Sequence, residues 1–340
     1  MNLSRTAVPV SPARATRFAR KKTVFRRIPP VYLITLVCAG LFLCFPAVSA
    51  KGAAVGLSLC ASSLIPALFP FLCLAPLLSD VLSALAAWVS RRCSVDGTQA
   101  LLWSSFVIGM VAGLPLGAVT VLSHVKAGRI DRACAARFLG VTTVSGPAFL
   151  SGYIGKTLLG SVRTGWMLYG IQLCVSLILF LREMKKTPHP MSGVMSDAGF
   201  RTETRAGAPS LSAAVSHGAG SMLSLCGTVV FFSVVRAFLC AFLPKVPAAL
   251  LGGLAEITGG IRELVLLCGN GMLAPAVLLP LIAFFVGFGG VSVGMQTANF
   301  TAGTGVSMRD YYRQKLLCGA MMAASVWVLS HTGLIAGMPL

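Results

Sequence analysis

Between residues 31 and 50 the chain runs for 20 residues without a charge, and apolar runs of this kind recur through most of its length. At about 1.5 Å per helical residue, about 20 residues cross a hydrocarbon core of about 30 Å. Charged residues make up 11% of the 340 residues, where a soluble domain carries about 25%. The mean hydropathy is +0.84. A water-facing surface cannot be built from so few charges. The sequence therefore predicts an all-α integral membrane protein, with the lipid bilayer as its main solvent.

The 28 Lys and Arg outnumber the nine Asp and Glu, for a net charge of +19. In a soluble protein such an excess points to nucleic acid. Here the basic residues lie between apolar runs, where retention on the cytoplasmic side collects them. No interleaved aromatic and basic groove occurs, so no nucleic-acid partner is expected. Residues 1–30 hold Arg5, Arg14, Arg17, Arg20, Lys21, Lys22, Arg26 and Arg27 and no acid. They read as a basic, disordered leader with a cytoplasmic N-terminus. Val48-Ser49-Ala50 resembles a signal-peptide cleavage site, but the run before it exceeds the usual apolar core of about 7–15 residues. Residues 31–50 are read as an uncleaved first span.

The chain divides into a first membrane half, 31–181, a polar linker loop, 182–210, and a second membrane half, 211–340. The linker carries Pro188, Pro190, Gly193, Gly199, Gly207 and Pro209, which punctuate rather than propagate structure. About eight spans are expected, together with broken or re-entrant helical hairpins. Residues 52–79 are punctuated by Pro66, Pro70 and Pro76. Residues 100–125 are interrupted at 113–117 and residues 134–154 at 145–147, whereas 163–181 is uninterrupted. In the second half a small-residue helix, 211–220, precedes a span at 222–243 containing Arg236. Residues 246–268 carry Glu256 between two Gly-Gly pairs, 272–294 ends in a glycine cluster at 287–290, and a last span covers 316–336.

The halves read as a repeat. A glycine break (113–117), an acid (Asp131) and a glycine (Gly140) recur in order as a glycine break (287–290), Asp310 and Gly319. The offsets agree, 310 − 131 = 179 and 319 − 140 = 179. Matched broken helices in two halves are the sequence pointer to a transporter site.

Helix breaks at membrane depth free backbone N–H and C=O groups, tolerated only where protein or a wet cavity shelters them. A half-helix N-terminus there suits an anion. Gly113, Pro115, Gly117, Ser145, Gly146, Pro147, Gly289, Gly290 and Ser292 are the candidate pathway positions on this argument, against ordinary kinks and close packing of small residues. Glu256 is the clearest acid inside an apolar run, with Thr258 as its hydroxyl neighbour. Acids at such depth face a cavity or a partner; a coupling H+ or Na+, a substrate donor, or an ion pair with Arg236 or Arg262 are the alternatives. Arg236 would meet an anionic substrate, pair structurally, or snorkel. Gln296 and Asn299 offer both donors and acceptors to the pathway.

Eleven cysteines without a CxxC pair imply neither zinc nor a disulfide framework. The four histidines are isolated, so no metal is expected. No catalytic motif or nucleotide-binding loop occurs, and neither an enzymatic activity nor a cofactor is expected. An oligomer is compatible with all of this.

The segments 63–78 (SLIPALFPFLCLAPLL), 113–118 (GLPLGA), 127–155, 252–260 (GGLAEITGG), 284–297 (FFVGFGGVSVGMQT) and 311–319 (YYRQKLLCG) together resemble the YlbJ-type sporulation integral membrane proteins, which carry the nucleoside-recognition gate domain. The family's Gly-Tyr-Pro-like break stands here as Gly113-Leu114-Pro115. The resemblance implies re-entrant hairpins in repeated halves and a role in endospore formation. It further implies passage of dipicolinic acid, a small organic anion, across the outer forespore membrane. A nucleoside or metabolite transporter of the same architecture, and a non-transporting sporulation scaffold, are the other functions weighed.

Overall fold

The computed structural model describes residues 30–74, 97–187 and 210–332, with isolated positions 77, 81 and 88. The basic leader, Pro76 and the linker from 188 to 209 lie outside the described residues. The chain divides into two units, residues 1–45 and residues 46–340. Among the described residues every regular element is a helix.

In the first unit α1 runs Pro30–Cys44. The single span expected over 31–50 is corrected: Phe45 is not helical, and a new helix starts at Pro46. Proline disfavours helical backbone at the residue before it and brings no N–H of its own.

In the second unit α2, Pro46–Leu74, is one apolar helix of 29 residues. It passes through Pro66 and Pro70 and widens to π geometry over Cys60–Leu64. The widening falls where the Pro66 ring would meet the carbonyl four residues earlier, at Ser62. α3 (Gly97–Ala112) and α4 (Leu116–Lys126) follow. Next come α5 (Arg132–Thr142), α6, a π-helix over Phe149–Leu158, and α7 (Val162–Lys185). α8 spans Leu211–Phe242 without interruption, so the helix expected at 211–220 and the span at 222–243 are one element. Gly218 and Gly220 lie inside this helix, and glycine in a packed membrane helix is tolerated. α9 (Lys245–Ala255), α10 (Ile257–Gly269), α11 (Pro275–Phe288), α12 (Gly290–Thr301) and α13 (Met308–His331) complete the unit.

Among the described residues four helices are long and apolar enough to cross a membrane: Pro46–Leu74, Val162–Lys185, Leu211–Phe242 and Pro275–Thr301, the last being α11 and α12 together. Side chains start several others. Asp131 accepts from Cys134 N at 2.8 Å to begin α5, and Ser161 accepts from Thr164 N at 3.2 Å to begin α7. Each satisfies an N–H that the first turn leaves free.

Two pairs of short helices fold back on themselves. α9 has 11 residues, about 17 Å of helix and roughly half the hydrocarbon core. It returns as α10, and the two cross so closely that a Cβ on Gly260 would overlap Gly253 Cα. α3 and α4 do the same: Gly109 and Gly117 face each other, and a Cβ on either would overlap the Thr142 carbonyl oxygen. Small residues set these distances because, in lipid, helices associate through packing. The tips are Gly113–Pro115 and Glu256.

The order long helix, hairpin, broken helix, long helix thus occurs twice, as α2, α3–α4, α5–α6, α7 and as α8, α9–α10, α11–α12, α13. α2 and α8 run in opposite directions, with Gly52 against Val234 and Cys73 against Gly218. This order corrects the pairing drawn from the sequence. The 113–117 break corresponds to the Glu256 tip, and 145–147 corresponds to 287–290. In each half the hairpin tip rests on the break that follows it. A Cβ on Gly113 would sit 2.7 Å from Gly146 Cα, and one on Gly290 would sit 3.2 Å from the Ala255 carbonyl oxygen. The constant offset of 179 matched like residues in unlike elements, because glycine is frequent along the whole chain.

Candidate functional site

Three of the breaks and the first turn of α12 open onto one cavity of about 310 Å³. Its walls are the tip Gly113-Leu114-Pro115, the break Ser145-Gly146-Pro147, the tip Glu256-Ile257-Thr258 and the first turns of α12 from Ser292. The remaining wall comes from α2 (Leu64, Leu68, Phe71, Leu72) and α8 (Ser221, Ser224, Leu225, Thr228, Val229). Of the candidate residues, Gly113, Pro115, Ser145, Gly146, Pro147, Glu256, Thr258, Ser292, Gln296 and Asn299 line it. Gly117, Arg236, Gly289 and Gly290 do not. Gly117 is consumed in the α3–α4 crossing. Gly289 and Gly290 turn the chain between α11 and α12 with φ of 83° and 75°, values that L side chains rarely adopt.

Glu256 is 6% exposed. One carboxylate oxygen accepts from Thr258 N and the other from Gly259 N, each at 2.7 Å. The acid is therefore the cap of α10, which offers it two free N–H groups and a positive dipole end. The ion pair expected as one alternative is corrected. Arg236 Nη1 donates instead to Glu263 Oε2 at 2.8 Å, and no ion pair to Glu256 forms among the described residues. Arg236 and Glu263 sit on α8 and α10, and that pairing is decided by helix packing 27 residues apart in sequence.

Carbonyls beside the breaks accept from donors on other helices. Tyr153 Oη donates to Thr258 O at 3.2 Å, and Tyr169 Oη donates to Met110 O at 2.9 Å. Gln172 Nε2 donates to Ser145 O at 2.7 Å. Lys315 Nζ, 2% exposed as a residue, donates to Thr143 O at 2.9 Å. Lys315 also lies against Gly289, where a Cβ would be 3.2 Å from its Cε. One ammonium thus stands at the C-terminal ends of both α5 and α11, where a positive charge is favoured. Backbone that leaves helical form within the membrane is in this way kept paired.

Ser145 Oγ is buried and makes no hydrogen bond.

Sequence reasoning missed Lys315, although the segment 311–319 was noted. The available signal was its place among Tyr311, Gln314, Cys318 and Met322, all buried on one face of α13. A lysine in such a stripe needs a partner. Ser221, Ser224 and Thr228 were also missed; their i, i+3, i+7 spacing puts three hydroxyls on one face of α8.

Long apolar helices and two short hairpins whose tips line one cavity define a helical integral membrane protein. The chain is similar to the sporulation integral membrane protein YlbJ of Bacillus subtilis (strain 168), 25% identical over 328 aligned residues that cover 84% of this chain and 78% of that protein. The YlbJ-type resemblance carried by the sequence segments is supported by that likeness. No family profile matches the chain, and no solved structure matches it.

Proposed function

We propose that the protein carries a small organic anion across the membrane, with dipicolinate as the solute and the outer forespore membrane as its place of work. The observation that carries this reading is the convergence of four helix starts on one cavity: α4, the turn from Pro147, α10 and α12. Glu256 caps α10, while α4, α6 and α12 have no side-chain cap. Uncapped N–H groups at a helix start attract an anion without any cationic side chain, and Arg236 is not needed for it. The unpartnered Ser145 hydroxyl adds a donor at the same wall. The volume suits a compact solute, at the small end of the range of about 300–1,000 Å³ for small-molecule sites. Two halves with the same order of elements, and equivalent long helices running oppositely, fit alternating access around a fixed site.

In this reading Glu256 offers a coupling H+ or Na+ a place beside the solute. The basic leader places the N-terminus in the cytoplasm. A nucleoside or similar metabolite is the second reading, favoured by Gln296 and Asn299, whose amides both donate and accept at the cavity. A non-transporting scaffold is the third, and it predicts no flux.

Purified protein in liposomes decides among them. Labelled dipicolinate and labelled nucleoside are offered across a pH or sodium gradient. The anion is expected to enter, and Glu256→Ala and Gly290→Leu proteins are expected to lose most of that flux while still inserting. Nucleoside flux alone selects the second reading, and absence of flux for both solutes selects the third.

A further inference from the structure

A second cavity, of about 510 Å³, lies beside the first along α2. Residues 51–63 of α2 line it, whereas Leu64, Leu68, Phe71 and Leu72 of the same helix line the central cavity. The changeover falls in the π-helical segment Cys60–Leu64. Across from α2 the second cavity is walled by Tyr153, Thr157 and Leu158 of α6 and by Arg262 of α10. Its chemistry differs from that of the central site. Lys51 and Arg262 bring two positive charges, Ser58, Ser62, Ser63 and Thr157 bring hydroxyls, and no carboxylate lines it. Neither cation forms an ion pair among the described residues, since the acid next to Arg262 in sequence, Glu263, is held by Arg236.

Unpaired cations in the membrane-embedded part of a protein face water or an anion. A guanidinium and an ammonium over a bed of hydroxyls suit a carboxylate, which accepts from both. The wall between the two cavities is thin. Tyr153 is fully buried and lines the second cavity, and its hydroxyl donates to the carbonyl of Thr258, which lines the first.

We propose that the Lys51–Arg262 cavity is a second binding station for small carboxylate anions, joined to the central cavity through the Tyr153–Thr258 contact. The identity of the anion rests on the function proposed above, but the station itself does not. A carboxylate is collected by Lys51 and Arg262, then passes the tip of the α9–α10 hairpin when Tyr153 releases Thr258.

The test uses the full chain in liposomes with Ser62→Cys. The thiol is offered an anionic methanethiosulfonate, bearing sulfonate, or a cationic one, bearing trimethylammonium, and modification at residue 62 is read by tandem mass spectrometry. The anionic reagent is expected to react at least about tenfold faster, as clefts of one charge sign concentrate the opposite ion. Adding Lys51→Gln and Arg262→Gln is expected to abolish that preference. Equal rates for the two reagents, or no reaction with either, overturn the proposal. In parallel, dipicolinate uptake by Arg262→Gln protein is expected to need about tenfold more solute for half-saturation, with the maximal rate retained. The two readings fail separately. A reagent preference with no solute flux leaves the station standing and removes the transport function. Flux without reagent preference does the reverse.

Discussion

The ammonium of Lys315 and the carbonyl of Thr143 meet at 2.9 Å across 172 positions of sequence. The last helix thereby ties down the point where α5 leaves helical form. Lys315→Met keeps the volume and removes the donor, leaving Thr143 O buried and unpaired. A cost of about 1–3 kcal/mol is expected, read as a lower midpoint of thermal unfolding in detergent. Gln172→Leu, which strips Ser145 O of its donor two residues on, should cost about the same. An unchanged midpoint for both proteins would remove the role assigned to these carbonyl caps.

Gly289 holds φ of 83° with Lys315 Cε close by. Gly289→Ala therefore adds left-handed strain of about 1–2 kcal/mol, and its methyl presses on the lysine stem. Gly289→Asn places a larger side chain but tolerates this backbone better. If strain dominates, thermal unfolding will rank Gly289, then Asn, then Ala. If crowding against Lys315 dominates, Asn will be the worst.

Gly260→Ala tests the α9–α10 hairpin by size alone, since Gly260 has ordinary helical backbone and its added methyl would overlap Gly253 Cα. Overpacking of this kind costs about 1–3 kcal/mol. The two arms must part, and Glu256 moves with them. Loss of stability together with loss of flux is expected. Gly269→Ala, on the same helix with no neighbour within 4 Å of its Cβ, is the control and should be neutral or slightly stabilising in both measurements.

Arg236 and Glu263 are partly buried, their side chains 11% and 26% exposed. A double-mutant cycle with Arg236→Gln and Glu263→Gln should give a coupling of about 0.5–3 kcal/mol in unfolding free energy. The same cycle between Arg236→Gln and Glu256→Gln should give less, because Glu256 spends both oxygens on backbone N–H groups. The opposite ranking would restore the ion pair to Glu256 that the sequence alone left open.

Much of this molecule was legible in one dimension because its main constraints are local. An apolar run must be helical in lipid whatever surrounds it, so 163–181 could be placed to within a few residues of α7. The breaks at 113–117, 145–147 and 287–290 could be placed because Gly and Pro act on the backbone where they stand. The same logic explains the misplaced boundaries. The split at Phe45 depends on one proline within an otherwise continuous apolar run, and the continuity of α8 depends on packing that tolerates its glycines.

The order of residues by itself determined that this chain lives in a membrane, where glycine and proline interrupt its apolar runs, and that Glu256 is an acid within one of those runs. Only the tertiary structure decided that the two hairpin tips, the 145–147 break and α12 meet at one cavity and that each hairpin tip rests on the next broken helix. It likewise decided that Arg236 belongs to Glu263 and that Lys315 stands behind Thr143. Backbone preference acts over a few residues and is written in their order, whereas the pairing of a charge or a carbonyl depends on which helices lie side by side, and that is a property of the packed whole.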